Sequence, residues 1–506
     1  MIKKSAVLWL GFAAAHCLTI VSLHAAVFDV KHYGAKGDGE SIETEAINKA
    51  IDAAHAAGGG TVYFPTGTYL SGSIHLQSNI ALFFEQGSTL KASADPAAYD
   101  EAEPNQWAQY QDFGHSHFHN SLIWGEGLQN VSIFGPGRID GSALTRRGGQ
   151  RIGNKAVALK LCRNVIVRDV SFLLCGHFAM LLTGVDNLTI DNVKIDTNRD
   201  GIDLDSCHNV RISNCSVNSP FDDAIVIKGT HALGFPRDTE NLTLTNCQVS
   251  GYDPGTFLDG SFQEKNDRVP DRAGPTGRIK IGTESEGGFK NITISNCVFV
   301  HCRGLALETV DGGALEDVSI SNITMRDIVN APIFLRLGAR MRAPEGKPVG
   351  ALRRVNISDV VVYDADPRYG SIISGIPDHR IEDVTLNNIR IYYRGGGTKE
   401  EASLNPPENE KMYPEPRMFG TIPAYTFFIR HAQGIELNNV QAGYELEDQR
   451  PPFLLDDVKD AEFNNVKAQH AAGVPVFVLH SVEDFTVRNA KGLPDTHLDS
   501  VEQKQL

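Results

Sequence analysis

The sequence predicts an all-β protein, a right-handed parallel β-helix with a short N-terminal capping helix. Three observations support this fold class. A motif of the form Asn-Val-x-Ile-x-x-Asn-Val/Cys-x-Val recurs at a shortest spacing of 22 to 23 residues, as between Asn164, Asn187 and Asn209. Each repeat consists of short β-branched runs broken by Asn, Gly and Asp, and repeats of this length indicate a solenoid. A leucine-rich repeat is the rival at this period, but it would show recurring Leu-x-x-Leu-x-Leu segments.

The length of 506 residues would ordinarily indicate about three domains, but a repeat fold favours one. Residues 1–26 combine Lys3 and Lys4 with an apolar run and small residues, which is typical of a secretory signal peptide. We expect residues 27–60 to cap the solenoid, residues 61–490 to form the β-helix and residues 491–506 to be a loosely attached polar tail.

The predicted cap contains one amphipathic helix, from Ile42 to about Ala57. Its apolar residues recur at helical spacing, and the three glycines at 58–60 end it. A short helix before a long β region is expected to cover the open end of a solenoid core. The strands are expected to begin with residues 61–65.

Composition limits the function. The formal net charge is −15, which argues against binding to nucleic acid or anionic membranes. No segment after the leader is apolar enough to cross a membrane, so we expect a soluble, monomeric product that is secreted or periplasmic. Cys215, Cys247 and Cys297 follow the same Asn in successive repeats, which predicts a buried ladder of thiols. Neither a Cys-x-x-Cys motif nor a His/Cys cluster indicates zinc, and we expect no cofactor.

Two acidic clusters lie one period apart in the stretch 196–228. The first contains Asp200 and Asp203, and the second is the pair Asp222 and Asp223. If 23 residues make one turn of the solenoid, the clusters lie side by side, about 4.8 Å apart. Crowded carboxylates raise one another's pKa, so one stays protonated while its neighbours ionise, as hydrolysis of a glycosidic bond requires. The alternative is that Asp200-Gly201 is an ordinary turn.

The motifs around these acids resemble glycoside hydrolase family 28, the polygalacturonases and rhamnogalacturonan hydrolases. Residues 198–203, Asn-Arg-Asp-Gly-Ile-Asp, are similar to the family's Asn-Thr-Asp-Gly-Ile-Asp motif, and residues 221–223 to its Gly/Gln-Asp-Asp motif. Residues 27–69 resemble the start of pectin-degrading, pectin-lyase-like β-helix enzymes. The resemblance implies an inverting hydrolase of α-linked galacturonate-type sugars, with Asp222 as the general acid and Asp200 and Asp223 activating water. Inversion would require carboxyl groups roughly 6.5 to 9.5 Å apart.

The sequence departs from the family in two places. Gly277 stands where the family's Gly-His-Gly motif has its His, and residues 306–308, Ala-Leu-Glu, stand where its Arg-Ile-Lys motif grips the substrate carboxylate. An Arg-Ile-Lys does occur one turn earlier, at Arg278 to Lys280, from where it can still reach the sugar. Glu308 would instead bind neutral sugar hydroxyls.

Further substrate contacts are expected from insertions, which in solenoids gather on one face. Arg340, in the insertion 337–350, is expected to join an anion patch, and Tyr413, in the insertion 394–425, to stack on a sugar. His177 lies 23 residues before Asp200 and is expected either to support the acids or to be a packing residue. These loops would narrow the groove toward exo action on pectic polysaccharide or its oligosaccharides.

Two other functions remain open at this point. A polysaccharide lyase would use the aspartate cluster to bind calcium, and chelator-sensitive release of unsaturated sugar would support it. A non-catalytic glycan-binding β-helix would show unchanged glycan turnover after Asp222→Asn.

Overall fold

The computed structural model describes residues 26–145, 153–265 and 274–506, so the predicted signal peptide lies outside the described residues except for Ala26. The described chain contains 35 strands in one continuous hydrogen-bonded array and two α-helices, α1 (Thr44–Ala56) and α2 (Phe113–Ser116). Short 3₁₀ helices occur at Val30–Tyr33, Pro96–Ala98, Ala108–Tyr110, Glu401–Ser403 and Pro416–Phe419. None of the described helices is long and apolar enough to cross a membrane.

The strands of the first half are short and separate: β1 (Val27–Asp29), β2 (Asp38–Ile42), β3 (Gly60–Phe64), β4 (Gly67–Ser71), β5 (Ile74–His75), β6 (Ile80–Phe84), β7 (Ser88–Ala92), β8 (Ile123–Glu126), β9 (Gln129–Phe134), β10 (Arg138–Asp140), β11 (Lys155–Lys160), β12 (Arg163–Arg168), β13 (Ser171–Leu173), β14 (Phe178–Thr183), β15 (Asp186–Asp191), β16 (Lys194–Asp196), β17 (Asp200–Asp205), β18 (His208–Ser213), β19 (Ser216–Asn218), β20 (Ile225–Gly229), β21 (Thr239–Thr245) and β22 (Gln248–Ser250).

Several strands of the second half are longer and turn a corner of the solenoid: β23 (Ile279–Ser285), β24 (Phe289–Cys302), β25 (Leu305–Thr309), β26 (Ala314–Ile328), β27 (Ile333–Leu337), β28 (Ala351–Ala365), β29 (Ser371–Ser374), β30 (Ile381–Gly395), β31 (Phe427–Leu446), β32 (Phe453–Asn464), β33 (Lys467–Ala468), β34 (Phe477–Arg488) and β35 (Thr496–Gln505).

The chain coils as a parallel β-helix, in which each strand pairs in parallel with the strand one turn later. Strand β14 pairs with β17, β17 with β20 and β20 with β23. The side chains that point inward stack in register, so Ile202 lies opposite Ile225, which lies opposite Ile279. All three are fully buried, and such apolar columns form the core. We call the sheet of β14, β17, β20, β23, β25, β27 and β29 and the first residues of β31, β32 and β34 the groove sheet.

Both ends of the core are covered. At the N-terminal end α1 buries Ile47, Ala50, Ile51 and Ala54, which agrees with the expected cap. At the C-terminal end β35 pairs antiparallel with β34. The expectation of a loosely attached tail is therefore wrong, because these residues hydrogen-bond to the last parallel edge and protect it.

The corners of the solenoid are made by residues in the left-handed conformation, most of them Asn or Asp. The φ angles of Asn164, Asn187 and Asn209 lie between 53° and 57°. Asn187 donates from Nδ2 to Asn164 Oδ1 at 3.1 Å, and Asn209 donates to Asn187 Oδ1 at 3.3 Å. The recurring Asn of the sequence motif therefore serves both the backbone turn and a ladder of side-chain hydrogen bonds between turns.

The cysteines are buried as expected. All seven within the described residues are free thiols. Cys215 directly precedes β19, Cys247 directly precedes β22 and Cys297 lies in β24. Their positions match, because the residues that follow them, Ser216, Gln248 and Val298, pair in register.

We predict that Asn187→Ala lowers the free energy of unfolding by about 1 to 2 kcal/mol, because alanine tolerates the left-handed backbone poorly and loses both ladder bonds. Urea unfolding followed by circular dichroism measures this change. The control is Asn187→Gly, which keeps the backbone conformation and should recover part of the loss. Equal stability of the alanine and glycine variants would contradict the backbone part of this explanation.

Candidate active site

The three aspartates predicted to be catalytic meet at one edge of the groove sheet. Asp200 begins β17, and Asp222 and Asp223 lie in the turn just before β20. Because Ile202 pairs with Ile225, Asp200 falls beside Asp223, and the Gly201 amide donates to the Asp223 carbonyl at 3.1 Å. One carboxylate oxygen from each aspartate lies within 4.8 Å of the other two. The period of the repeat therefore brings the two acidic clusters together.

Asp200 is the aspartate that keeps its proton. Its side chain is buried at 2% exposure, and burial, followed by the neighbouring charge of Asp222, raises its pKa well above the ordinary value. The positive charges of Lys228 and Arg199 oppose this effect but do not cancel it. Asp200 is therefore protonated under conditions in which an exposed aspartate is ionised.

Asp223 is the aspartate that stays ionised. Burial by itself raises its pKa, but the charges of Lys280 and Arg278 outweigh burial and hold the pKa below its usual range. Arg278 Nε donates to Asp223 Oδ1 at 2.9 Å, and Lys280 Nζ lies 3.6 Å from Oδ2. Two carboxyl groups on neighbouring turns thus have pKa values shifted in opposite directions, a pattern that assigns different acid–base roles.

Asp222 is the most accessible of the three, with 26% of its side chain exposed. It lines a small cavity of about 140 Å³. Arg199 Nε donates to Asp222 Oδ2 at 3.1 Å, so a guanidinium group lies directly beside this carboxyl group. Asp222 is thus the aspartate placed to touch a ligand.

The nearest oxygens of the three carboxyl groups lie within 4.8 Å of one another. This proximity follows from the spacing of adjacent turns of a parallel β-helix, which are hydrogen-bonded at about 4.8 Å. The roughly 6.5 to 9.5 Å expected for inversion is defined between whole carboxyl groups and not between their nearest oxygens, so it stays a prediction.

Gly277 cannot be replaced by a larger residue. It has a φ of 48°, and a Cβ placed there would lie 2.2 Å from the Ser250 carbonyl oxygen. The sequence therefore has no His at this position for a steric reason. The preceding residue, Thr276, lines the cavity beside Asp222 and Asp223.

Lys280, Glu308 and Tyr413 form the side of the site next to Asp223. Lys280 Nζ lies 3.3 Å from Glu308 Oε2 and donates to the Tyr413 hydroxyl at 3.2 Å. Glu308 is fully buried, and burial raises its pKa to about 7. Tyr413 is 49% exposed and lines the cavity, whereas Glu308 faces Lys280 and Thr283, so the structure gives no support to Glu308 as a contact for sugar hydroxyls.

Arg278 and Arg340 both hold internal ion pairs. Arg278 is 2% exposed and lies between Asp223 and Glu415. Arg340 Nε donates to Asp311 at 3.0 Å, and its Nη1 lies 3.7 Å from Glu284. The expected anion patch at Arg340 is thus neutralised by acidic neighbours, and Arg340 does not line the cavity.

Asp203 and His177 lie behind the aspartates. Asp203 is fully buried and bonds to His115 at 3.0 Å. Strand β14 aligns Phe178, not His177, with Asp200, so the expected register is off by one residue. His177 stacks on Phe178 with ring centroids 4.3 Å apart. Burial, followed by the charge of Arg199, holds the pKa of His177 well below its usual range, so it is a neutral packing residue.

Sequence reasoning missed several residues of the site. Arg199 lies inside the identified motif 198–203. Glu415 and Arg417 lie inside the insertion that was expected to shape the groove. The sequence does not show which residues these side chains contact. The missed residues at the cavity or its aspartates are Arg199, Thr276, Arg303, Glu415 and Arg417.

The three aspartates are also close enough to hold a metal ion. However, a calcium ion takes six to eight oxygen ligands, and Asp222 and Asp223 already pair with Arg199, Arg278 and Lys280. These positive charges oppose a bound cation. The arrangement therefore favours acid–base chemistry over the calcium-dependent lyase.

We predict that Asp200→Asn stabilises the protein at pH 7. A carboxyl group whose pKa is raised by folding contributes stability below its unfolded pKa, and this contribution is lost as pH rises through the folded pKa. The variant should therefore unfold at a higher temperature than wild type at pH 7, and the difference should vanish near pH 4. Differential scanning calorimetry at the two pH values measures this.

Asp203→Asn is the matched control, because Asp203 lies on the same strand but pairs with His115 and Lys228. Its loss should lower the unfolding temperature at pH 7. If Asp200→Asn were also destabilising at pH 7, the assignment of a protonated Asp200 would be wrong.

Two family profiles and several curated proteins are similar to this chain. Residues 27–133 match the family profile described as rhamnogalacturonase A/epimerase, pectate lyase-like, and residues 110–267 match the right handed beta helix region. A probable polygalacturonase of Vitis vinifera is 23% identical over 401 residues, which cover 74% of this chain and 75% of the relative. An exo-poly-alpha-D-galacturonosidase of Dickeya chrysanthemi is 27% identical over 349 residues, 62% of this chain and 57% of the relative.

A solved structure extends the similarity. The family 28 exopolygalacturonase of Yersinia enterocolitica superposes with a TM-score of 0.63 at 17% identity, covering 87% of this chain and 78% of that one. These similarities confirm the right-handed parallel β-helix and the resemblance of this chain to glycoside hydrolase family 28.

Proposed function

We propose that the protein is a glycoside hydrolase that cleaves α-linked galacturonate-type bonds in pectic polysaccharide or its oligosaccharides. The observation that carries this proposal is the convergence of Asp200, Asp222 and Asp223, the last two of which line the cavity, with the pKa of Asp200 raised and that of Asp223 lowered. The similarity to polygalacturonases supports the substrate class.

In this proposal Asp222 donates the proton to the glycosidic oxygen, because it is the most accessible of the three aspartates. Two carboxyl groups this close cannot both ionise readily and therefore share a proton. Asp200 holds that proton in the free enzyme and keeps Asp222 supplied with it. After the proton leaves, Arg199 stabilises the Asp222 carboxylate.

Asp223, the ionised aspartate, takes a proton from the attacking water. Its carboxylate is held by Arg278 and Lys280, which makes it a poor nucleophile toward carbon. Asp200 shares its proton with Asp222 and is only 2% exposed, which leaves it poorly placed to attack carbon. With neither carboxylate placed to form a covalent intermediate, we propose direct attack by water and inversion, as the family resemblance implies.

We further propose exo action, because the segment 396–426, which lines the cavity through Tyr413, Glu415 and Arg417, is bonded through the insertion 337–350 to Asp112. Asp112, after the 3₁₀ helix at Ala108–Tyr110, accepts a bond from Arg342 Nη2 at 2.7 Å. The insertion containing Arg342 is joined in turn to residues 396–426, since the Ala339 amide donates to the Glu410 carbonyl at 2.7 Å. A polymer cannot pass through walls that are bonded together, whereas a chain end can enter.

The segment 396–426 also ends the groove on its C-terminal side. Met418, Phe419 and Ile422 pack on Phe334 and Phe428 of the groove sheet. A larger cavity of about 960 Å³ lies beyond this segment, lined among others by Arg430, Asp456 and His480. We do not place the reaction there, because the three aspartates do not line it.

The predicted signal peptide, together with the acidic charge, leads us to propose that the enzyme acts outside the cytoplasm, in the periplasm or outside the cell.

We predict that Asp200→Asn, Asp222→Asn and Asp223→Asn each lower kcat by about 10³-fold or more, because each removes one part of a connected acid–base unit. Release of reducing sugar from pectic oligosaccharides measures the loss, and circular dichroism verifies folding. Asp186→Asn, a half-exposed aspartate paired with Arg237, is the control and should retain wild-type activity. Near-wild-type activity of any catalytic variant would remove that residue from the assignment.

We predict that monosaccharide is the first product from a panel of pectic polymers, and that it first appears as the β-anomer, because water attacks the α-linked carbon from the opposite face. Proton NMR at early times determines the anomeric configuration of the first product, and chromatography determines the length of the released sugars. A ladder of oligosaccharides would disprove the exo proposal, and an initial α-anomer would disprove inversion. Unsaturated products lost on chelation would instead identify a lyase.

A further inference from the structure

Glu415, in the segment 396–426, contacts the site through another residue. Its side chain is buried at 5% exposure and lies between two guanidinium groups. One carboxylate oxygen pairs with Arg278 Nη2 and with Arg303 Nη1, the latter at 3.0 Å. The other oxygen accepts at 3.4 Å from Arg278 Nη1 and from Asn330 Nδ2. A carboxylate is thus buried 137 positions along the chain from the arginine that it contacts.

Arg278 links Glu415 to the catalytic centre. Its Nε donates to Asp223 while its two terminal nitrogens face Glu415. A guanidinium group is planar and presents its donors in a fixed fork, so a contact at one edge sets the orientation of the other. Arg278 is 2% exposed and cannot exchange either partner for water.

We propose that Glu415 is a positioning residue for Asp223: it anchors the guanidinium of Arg278 and takes up part of its charge, which leaves Asp223 basic enough to accept a proton from water. This inference rests on the proposed function, since it assigns Asp223 as the base. It gives the insertion a role in the chemistry in addition to its role as a wall, because the acid–base unit is complete only when the segment lies on the groove sheet.

The balance of charge around Asp223 supports this role. The groups that face Asp223 come from β17, the turn before β20, β20, β23, β25 and the insertion. The basic ones are Arg278, Lys280 and Lys228, the acidic ones are Asp200, Asp222, Glu308 and Glu415, and Tyr413 is the phenol. Glu415 opposes the effect of Arg278 and Lys280 on Asp223. Removing its charge leaves Arg278 and Lys280 less fully neutralised and lowers the pKa of Asp223 further.

The anchoring of the segment supports the positional part of the inference. Glu415 begins the 3₁₀ turn Pro416–Phe419, and its carbonyl accepts from the Met418 amide at 2.8 Å. Met418 and Phe419 are buried against the groove sheet. The backbone that carries Glu415 is therefore fixed by apolar packing, independently of the ion pairs.

We predict that Glu415→Gln, which keeps the shape of the side chain and removes its charge, lowers kcat about 10-fold or more with little change in KM. The acidic limb of the kcat/KM profile should move to lower pH by about one unit, because Asp223 with a lower pKa loses its proton at a lower pH. Initial rates on pectic oligosaccharides across pH 3 to 8 measure both effects.

Asp448→Asn is the matched control. Asp448 is fully buried, pairs with Arg450 and accepts from the Gly397 amide at 3.0 Å, so it anchors the same segment without touching Arg278. This variant should reduce stability and leave the pH profile in place. An unchanged profile for Glu415→Gln, or the same shift in Asp448→Asn, would overturn the inference.

A second measurement does not depend on turnover. Carbon-13 NMR of protein labelled at the aspartate carboxyl carbons, assigned with Asp223→Asn, follows the titration of Asp223 directly. We expect its midpoint to fall in Glu415→Gln, even if the substrate proves not to be pectic. An unchanged midpoint would refute the charge relation, whereas a lowered midpoint in a protein without hydrolase activity would refute only the proposed function.

Discussion

The lateral hydrogen bonding between successive turns of the solenoid is the constraint on which the rest of the structure depends. Parallel strands in register place residues that are 22 to 23 positions apart beside one another at about 4.8 Å. The same registration stacks Ile202 on Ile225 in the core and sets Asp200 beside Asp223 at the edge of the groove sheet. The core and the site therefore have a common cause.

This close spacing places charged side chains of the groove sheet near one another. Burying a charge on adjacent turns costs free energy unless that charge is paired with one of opposite sign. The protein meets this requirement with alternating signs: Asp223 is held by Arg278 and Lys280, and these basic groups by Glu415 and Glu308. Asp200 has no such ion pair among the described residues, and burial together with the charge of Asp222 raises its pKa. The acid–base asymmetry of the site thus arises from unequal neutralisation of neighbouring carboxyl groups.

The insertions convert a repetitive surface into a specific site. A bare groove sheet would present a long open trough, because every turn has the same shape. The contacts between Asp112 and Arg342 and between residues 339 and 410 join three insertions to one another above that trough. The segment 396–426 contributes both the apolar residues that pack on the groove sheet and Glu415, which pairs with Arg278. Shape and charge at the cavity consequently depend on the same segment.

The sequence by itself determined the fold class, the capping helix and the three aspartates, because all of these depend on periodicity and local pattern. Asn187 and the equivalent asparagines mark the corners of the solenoid. The number of residues from Asp200 to Asp223 equals the length of one solenoid turn. Only the tertiary structure decided that Arg278 and Arg340 serve internal acids, that Glu308 faces Lys280, that His177 lies opposite Arg199, and that the tail is a strand. These features depend on side chains from insertions and on a one-residue register. The repeat length of the sequence predicts neither the insertion contacts nor the exact register. The insertions do not follow the repeat, and their contacts form only when the chain has folded into the solenoid.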